Sequence, residues 1–326
     1  MAGPMPIRPR IAVDCGQTGA RVRIWTPGTA HPDSTAQPDS TAQPEHTVKL
    51  PGVRTDHAVV PQVAEIVEHA LNGQTLPGAE LAAGVSGLTP AAAHPDELLV
   101  ACAVLGVTRV ALAHDSATSF LAANRFESGA VVAAGTGVVT LGVGSSTAKV
   151  DGWGMFGDAG SGYWIGRAGV DAALRAFDGR GPRTTLTRLA EAEFGPLPEI
   201  YMIVQADPLR VRRTAAFAQV VASAADAGDE VAAQILDAAA DELATSVTAA
   251  LHGAGWQPGD AWRVSWMGKV ITGNPRLRIR FRELVMAAHP GITTDEPHGT
   301  PLDGAALLLD LPAGHPVAAL VAYAGR

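Results

Sequence analysis

One pattern occurs twice in this chain: a short apolar run, a glycine turn that includes a threonine, and a second apolar run. IAVDCG (11–16), the turn Gln17-Thr18-Gly19 and ARVRIWT (20–26) make the first copy; GAVVAAGTG (129–137) and VVTLGVG (138–144) make the second. Alternation in ARVRIWT and short glycine-bounded apolar runs predict a β-hairpin at each place. A chain that starts two such hairpins about one domain length apart is expected to build two successive lobes of related design. Its 326 residues are enough for a core in each.

The intervening stretches fit that plan. HTVKLPG (46–52) reads as a third strand, and residues 58–72 as a helix through Val60, Val63, Ile66, Val67 and Leu71, closing at Gly73. ELAAGVSG (80–87) and RVALAHD (109–115) read as strands, with a helix over 96–105 between them. In the second half a strand is expected near Ala148–Asp151, mainly helix from 161 to 253, a strand at AWRVSWMG (261–268), and helices starting near 275 and 301. The order predicts α/β lobes, each a mixed sheet with helices on its faces. The expected division is 1–118 for the first lobe with a flexible loop over 30–45, 119–300 for the second with a helical insertion, and 301–326 as C-terminal helices returning to the first. The hexapeptide PDSTAQ stands in tandem at 32–37 and 38–43. It has no apolar anchor and is too short for a structural repeat, so it reads as loop.

Charge narrows the partners. Against 24 Lys and Arg stand 32 Asp and Glu, a net charge of −8, which offers nothing to nucleic acid or an anionic membrane. No run reaches the ~18 apolar residues of a membrane span, and the opening residues MAGPMPIRPR carry no apolar leader core, so a cytoplasmic location is expected. Cys15 and Cys102, the two cysteines, are too few for a disulfide framework.

Four segments carry candidate chemistry. In DCGQTGAR (14–21), Asp14 ends a strand, and the turn with Gly16, Thr18 and Gly19 presents amides and a hydroxyl suited to phosphate, while Asp14 suits Mg²⁺. AAGTG (133–137) repeats the motif with Gly135, Thr136 and Gly137. Either turn alone is equally an ordinary hairpin turn; the pair suits a polyphosphate. In AHDSATSF (113–120), Asp115 stands at a strand's carboxyl end, where it either caps the following helix or accepts a proton from a substrate hydroxyl; His114 reads as support for that turn. DGWGMFGDAGSGYWIGRAG (151–169) crowds glycines and aromatics ahead of a helix, with Asp158 expected to be presented rather than packed.

Taken in order, DCGQTGAR, HDSATS, AGTG and GWGMFGDAGSGYWIGR resemble the N-acetylglucosamine kinase group of the BadF/BadG/BcrA/BcrD-type ATPases, in the actin/hexokinase/Hsp70 superfamily. The GWG…GD segment is the specific part of the likeness, which runs from Ile11 to Leu309; SWMGKVITGNPRLRIRF (265–281) looks like the family's adenosine motif and PLDGAALLL (301–309) like its closing helix. The resemblance implies two RNase H-like lobes with an active-site cleft between them, and ATP, Mg²⁺ and a small sugar as ligands. It implies Asp14 as the Mg²⁺ residue, Gly16, Gln17, Thr18, Gly135, Thr136, Gly137, Gly268 and Lys269 at the nucleotide, Asp115 as catalytic base, and Gly152, Trp153 and Asp158 at the sugar. A homodimer is one arrangement it allows. Cys15, Gln17, Val138, Val139 and Ala159 depart from the family pattern and leave the choice between N-acetylglucosamine and glucosamine open. Two alternatives stand beside the kinase: an activator-type ATPase, which needs cysteine ligands for an iron–sulfur cluster, and a sugar sensor without catalysis.

Overall fold

A computed structural model describes residues 8–26, 46–54 and 56–325; both PDSTAQ copies lie outside them. The chain forms two compact units, one of residues 1–127 with 297–326 and one of 128–296. The first unit runs β1 (Arg10–Cys15), β2 (Ala20–Trp25), β3 (His46–Leu50), α1 (Val59–Leu71), β4 (Ala79–Val85), α2 (Pro95–Cys102), β5 (Val107–His114) and α3 (Asp115–Asn124). The second holds β6 (Gly129–Ala134), β7 (Val138–Val143), β8 (Thr147–Asp151), α4 (Gly162–Phe177), α5 (Leu186–Phe194), α6 (Ile200–Ala206), α7 (Arg210–Asp226) and α8 (Glu230–Gly253). It continues through β9 (Arg263–Met267), α9 (Lys269–Thr272), α10 (Pro275–Ala288) and β10 (Thr293–Thr294), after which α11 (Pro301–Leu307) and β11 (Val321–Gly325) rejoin the first unit.

Both sheets share one plan. The first has the order β11-β5-β4-β1-β2-β3 and the second β10-β9-β6-β7-β8. In each, the first three strands are antiparallel neighbours and the next two run parallel to the first. This is the RNase H-like arrangement, present twice. β4 is buried at all seven positions, which is why its sequence shows no alternation: a strand covered on both faces has no polar side. Helix α1 packs Val60, Val63, Ile66 and Val67 inward and stops where Asn72 turns left-handed. In the second unit Phe217, Leu236, Leu243, Trp266 and Phe281 knit α7, α8 and α10 to the sheet.

Two boundaries differ from the sequence expectation. The first unit extends to Glu127 rather than 118, because α3 is clamped inside it. Gly84 of β4 and Gly304 of α11 close on it from two sides: a Cβ on Gly84 would lie 2.6 Å from Thr118 Cγ2, and one on Gly304 2.7 Å from Ala122 N. The segment 301–326, expected to be helical throughout, has α11 at its start and a short 3-10 helix at Pro316–Leu320, but ends in a strand. Val321–Gly325 instead pairs antiparallel with β5, Val321 opposite Ala113, and Arg109 stacks over the Tyr323 ring. Among the described residues no helix is long and apolar enough to cross a membrane.

Candidate active site

Strand register sets the first half of the site. Asp14 pairs with Gly84 and Val85 with His114, so β1, β4 and β5 end level, and the segments following them start from one edge of the sheet. Such an edge is where ligands collect in open α/β sheets. Past β1, the Gly16 N–H donates to Gly19 O at 3.0 Å and closes the turn, with Gln17 and Thr18 exposed at its tip. The turn rests on a residue outside the motif. The Val53 N–H donates to Gly16 O at 3.1 Å, and Gly52 fits beneath: a Cβ there would lie 2.5 Å from Gly19 N and 2.6 Å from Gln17 C. The motif glycines are less confined, since a Cβ on Gly16 would meet nothing closer than Gly19 O at 3.4 Å, and one on Gly19 nothing closer than Leu50 O at 3.6 Å.

Two carboxylates converge beside that turn. Burial pushes the Asp14 carboxyl up to about 6; Arg21, with Nη1 3.8 Å from Asp14 Oδ2, pulls it back, and the charge of Asp115 raises it again. A buried acid with a like-charged neighbour is the setting a divalent cation relieves, so the residues present fit Mg²⁺. Asp115 is the first residue of α3 and does not cap it. The cap position belongs to His114, whose Nδ1 lies 3.1 Å from Ser116 N, so the Asp115 carboxylate has no capping duty.

The second unit gathers its own set. The Gly135 N–H donates to Gly137 O at 2.8 Å, and the first amides of α4 reach the same turn, Gly162 N–H to Gly135 O at 2.8 Å and Tyr163 N–H to Thr136 O at 3.0 Å. At the end of β9, Gly268 takes φ +89°, and a Cβ there would lie 2.6 Å from the Ala134 carbonyl carbon. Gly268 and the exposed Lys269 therefore abut the Gly135-Thr136-Gly137 turn.

Asp151 shapes the loop that follows β8. Its carboxylate accepts the N–H groups of Gly152 at 2.8 Å, Asp158 at 2.7 Å and Ala159 at 3.0 Å, tying both ends of the loop together. Trp153 and Phe156 stand out from it, 74% and 91% exposed. Asp158, expected to be presented, packs against the second turn. Its carboxylate takes backbone hydrogen bonds from Val138 and Gly154, Oδ2 fills the space a Cβ on Gly137 would need, and Oδ1 is buried with no hydrogen-bond partner among the described residues. Burial raises its pKa, the charge of Asp151 adds to the rise, and the two amides oppose it. The helix behind is capped by Ser161, whose Oγ accepts the Trp164 N–H at 3.2 Å.

Asp14, Gly16, Gln17, Thr18 and Asp115 thus belong to the first unit, and Gly135, Thr136, Gly137, Gly152, Trp153, Asp158, Gly268 and Lys269 to the second. Gly52 and Asp151 are the supporting residues the motifs alone did not single out. Asp151 could have been read from its place directly ahead of the glycine loop; Gly52 carried no signal beyond closing a strand.

The fold is that of the actin-like ATPases and sugar kinases. It matches the crystal structure of a protein provisionally described as an N-acetylglucosamine kinase from Chromobacterium violaceum, with TM-score 0.68 and 22% identity over 93% of this chain and 99% of that one. It also matches a glucose-bound hexokinase from Schistosoma mansoni, with TM-score 0.52 and 13% identity over 91% and 84%. The chain belongs to the BadF/BadG/BcrA/BcrD ATPase family, whose model matches residues 47–308. An N-acetylmuramic acid/N-acetylglucosamine kinase of Clostridium acetobutylicum is 35% identical over 129 residues, 38% of this chain and 42% of that protein. An N-acetyl-D-glucosamine kinase of Dictyostelium discoideum is 29% identical over 186 residues, 55% of this chain and 58% of that protein. The chain spans about half the length of these curated relatives.

Proposed function

We propose that the protein is an ATP-dependent kinase that phosphorylates the 6-hydroxyl of N-acetylglucosamine or glucosamine in the cytoplasm. The observation that carries this reading is the pairing of Asp14 and Asp115 beside a closed glycine turn, with Asp115 one residue past the cap position of α3. Thr18 and the Gln17 amide, in the turn that Gly16 closes, hold the β- and γ-phosphates; Thr136 and the Gly137 amide, in the turn that Gly135 closes, give a second set of donors, and Gly268 and Lys269 hold the nucleoside end. Asp14 would hold Mg²⁺, which when bound supplies positive charge to the phosphate oxygens. Asp115 takes the proton of the sugar hydroxyl as that oxygen bonds to the γ-phosphorus; the bond from γ-phosphorus to the bridging oxygen breaks, and ADP leaves with the electron pair. Gly152, Trp153 and Asp158 bind the sugar.

Cys15 and Cys102 are both fully buried in the first unit's core, which favours the kinase over a cluster-bearing activator. ADP release measured with N-acetylglucosamine, glucosamine, N-acetylmuramic acid and glucose tests the reading. Turnover on an amino sugar supports it; ATP binding with no turnover on any of the four removes it in favour of a sensor.

A further inference from the structure

Three groups crowd one ring nitrogen at the start of α3. His114 Nδ1 lies 3.1 Å from Ser116 N, 2.9 Å from Ser116 Oγ and 3.0 Å from Asp115 Oδ1. That carboxylate oxygen has no exposed surface and, among the described residues, no hydrogen-bonding neighbour other than this nitrogen. A neutral imidazole nitrogen either carries a proton or offers a lone pair. With a lone pair, Nδ1 accepts from Ser116 but turns electron density toward the buried carboxylate oxygen. With a proton, it donates to Asp115 Oδ1, and Ser116 gives up its acceptor. A hydrogen bond to an ionised carboxylate is the stronger of the two, so the protonated Nδ1 wins while Asp115 is charged.

We propose that His114 is a positioning residue for the phosphotransfer: its Nδ1–H holds Asp115 Oδ1 and so fixes the carboxylate with Oδ2 as the oxygen that takes the sugar proton. The ring side chain is 21% exposed and the carboxylate 28%, so the pair is walled on one side and open on the other, as a buried anchor and a working oxygen require. Ser116 Oγ, 2.9 Å from the same nitrogen, flanks the ring and limits its rotation. The inference rests on Asp115 as the base, and it ties the residue at the cap position of α3 to the carboxylate that follows it.

The test compares Asp115→Asn, His114→Ala and His114→Asn in steady-state assays with ATP and N-acetylglucosamine, alongside melting temperatures. His114→Ala should lower kcat about ten- to a hundredfold, the range for a slightly misplaced catalytic group, while both KM values stay near wild type. Asn, whose amide N–H can replace the Nδ1 donor, should restore most of kcat. An unchanged kcat in His114→Ala overturns the proposal, as does a rise in sugar KM with kcat intact, which would make His114 a substrate contact. A fall in melting temperature without a change in kcat at lower temperature would reduce it to a helix cap. An active Asp115→Asn removes the base assignment itself; an inactive Asp115→Asn beside a fully active His114→Ala removes only the role of His114.

Discussion

At the end of β1 stands Asp14, two residues ahead of Gly16; at the same place ahead of Gly135, at the end of β6, stands Ala133. The strand plan is common to both units, yet their acids come from different places: Asp14 stands on the strand that leads into the first turn, whereas the carboxylate against the second turn, Asp158, comes from the loop after β8. The fifth positions diverge as well. β5 has eight residues and delivers His114 and Asp115 into a helix, whereas β10 is two threonines. One scaffold used twice has therefore diverged: under the proposed function the first unit carries the groups that would move a proton and steady a cation, and the second a backbone turn with one carboxylate packed behind it. The glycines differ in the same sense. In the second turn the confined glycine, Gly137, is inside the motif, against Asp158; in the first it is Gly52, contributed by the segment after β3.

Four changes would break or sharpen that contrast. The largest effect is expected at Asp115: Asp115→Asn should reduce kcat by about 10²–10⁴ while leaving ATP and sugar binding in place, as loss of a general base does. Comparable kcat in mutant and wild type would deny the first unit its chemical role.

Next is the support of the turns. Gly52→Ala drives a methyl group into the backbone of Gln17 and Gly19 and should destabilise by about 1–3 kcal/mol with a matching loss of MgATP affinity. Gly19→Ala, a change within the motif itself, meets only open contact distance and should be the milder of the two. Isothermal titration and thermal melts on both variants settle it, and the reverse ranking would show that the turn is not held from below.

The cost of the acids themselves is the third. The Asp14 carboxyl is held near 6, above its ordinary 3.8, so between those values the folded protein keeps a proton that the unfolded chain has released. Stability attributable to Asp14 is thus full below about pH 4 and lost as pH rises through about 6. Asp14→Asn should remove that fall and make the ligand-free protein more stable at pH 7.5 by roughly 2–3 kcal/mol, from about 1.4 kcal/mol per pKa unit. Urea midpoints at pH 4.5 and 7.5 measure it; equal mutant and wild-type midpoints at pH 7.5 would mean the acid carries no such cost.

The smallest effect concerns helix starts. Ser161→Ala removes the cap of α4 and should lower stability by about 1 kcal/mol. Because α4 also donates to the second turn, ATP affinity should fall slightly in parallel, whereas a melting shift with unchanged affinity would uncouple the helix from the turn.

Most of this layout could be read from the chain, for reasons that differ by element. β1, β2, β6 and β7 announced themselves because each borders a glycine turn, and α1 because Val60, Val63, Ile66 and Val67 repeat at helical spacing. β10 was invisible, since two threonines cannot show a period. β11 was hidden at a sheet edge, where Val321, Ala322 and Tyr323 are only partly covered and the apolar alternation is weak. The candidate residues were legible as types, but their attachments were not. Whether Asp115 or His114 caps α3 depends on a ring nitrogen reaching Ser116, and Gly52 meets Gly16 across a span that no local pattern encodes. The packing of Asp158 onto Gly137 is likewise a long-range contact; the surrounding glycines signalled only an unusual loop.

The route of the chain has a further consequence during synthesis. The first unit is interrupted by the whole of the second and is completed only by α11 and β11, which are synthesised after all of 128–296. Until then β5 has an unpaired edge and α3 lacks the helix that closes on Thr118 through Gly304, while all of 128–296 is already available to fold. The unit of 128–296 can therefore mature first, and the half bearing Asp14 and Asp115 is finished after it, so an interrupted chain ending at 296 should resist protease over 128–296 and yield over 1–127. Premature termination would then leave a folded 128–296 beside a first unit whose sheet lacks its edge strand.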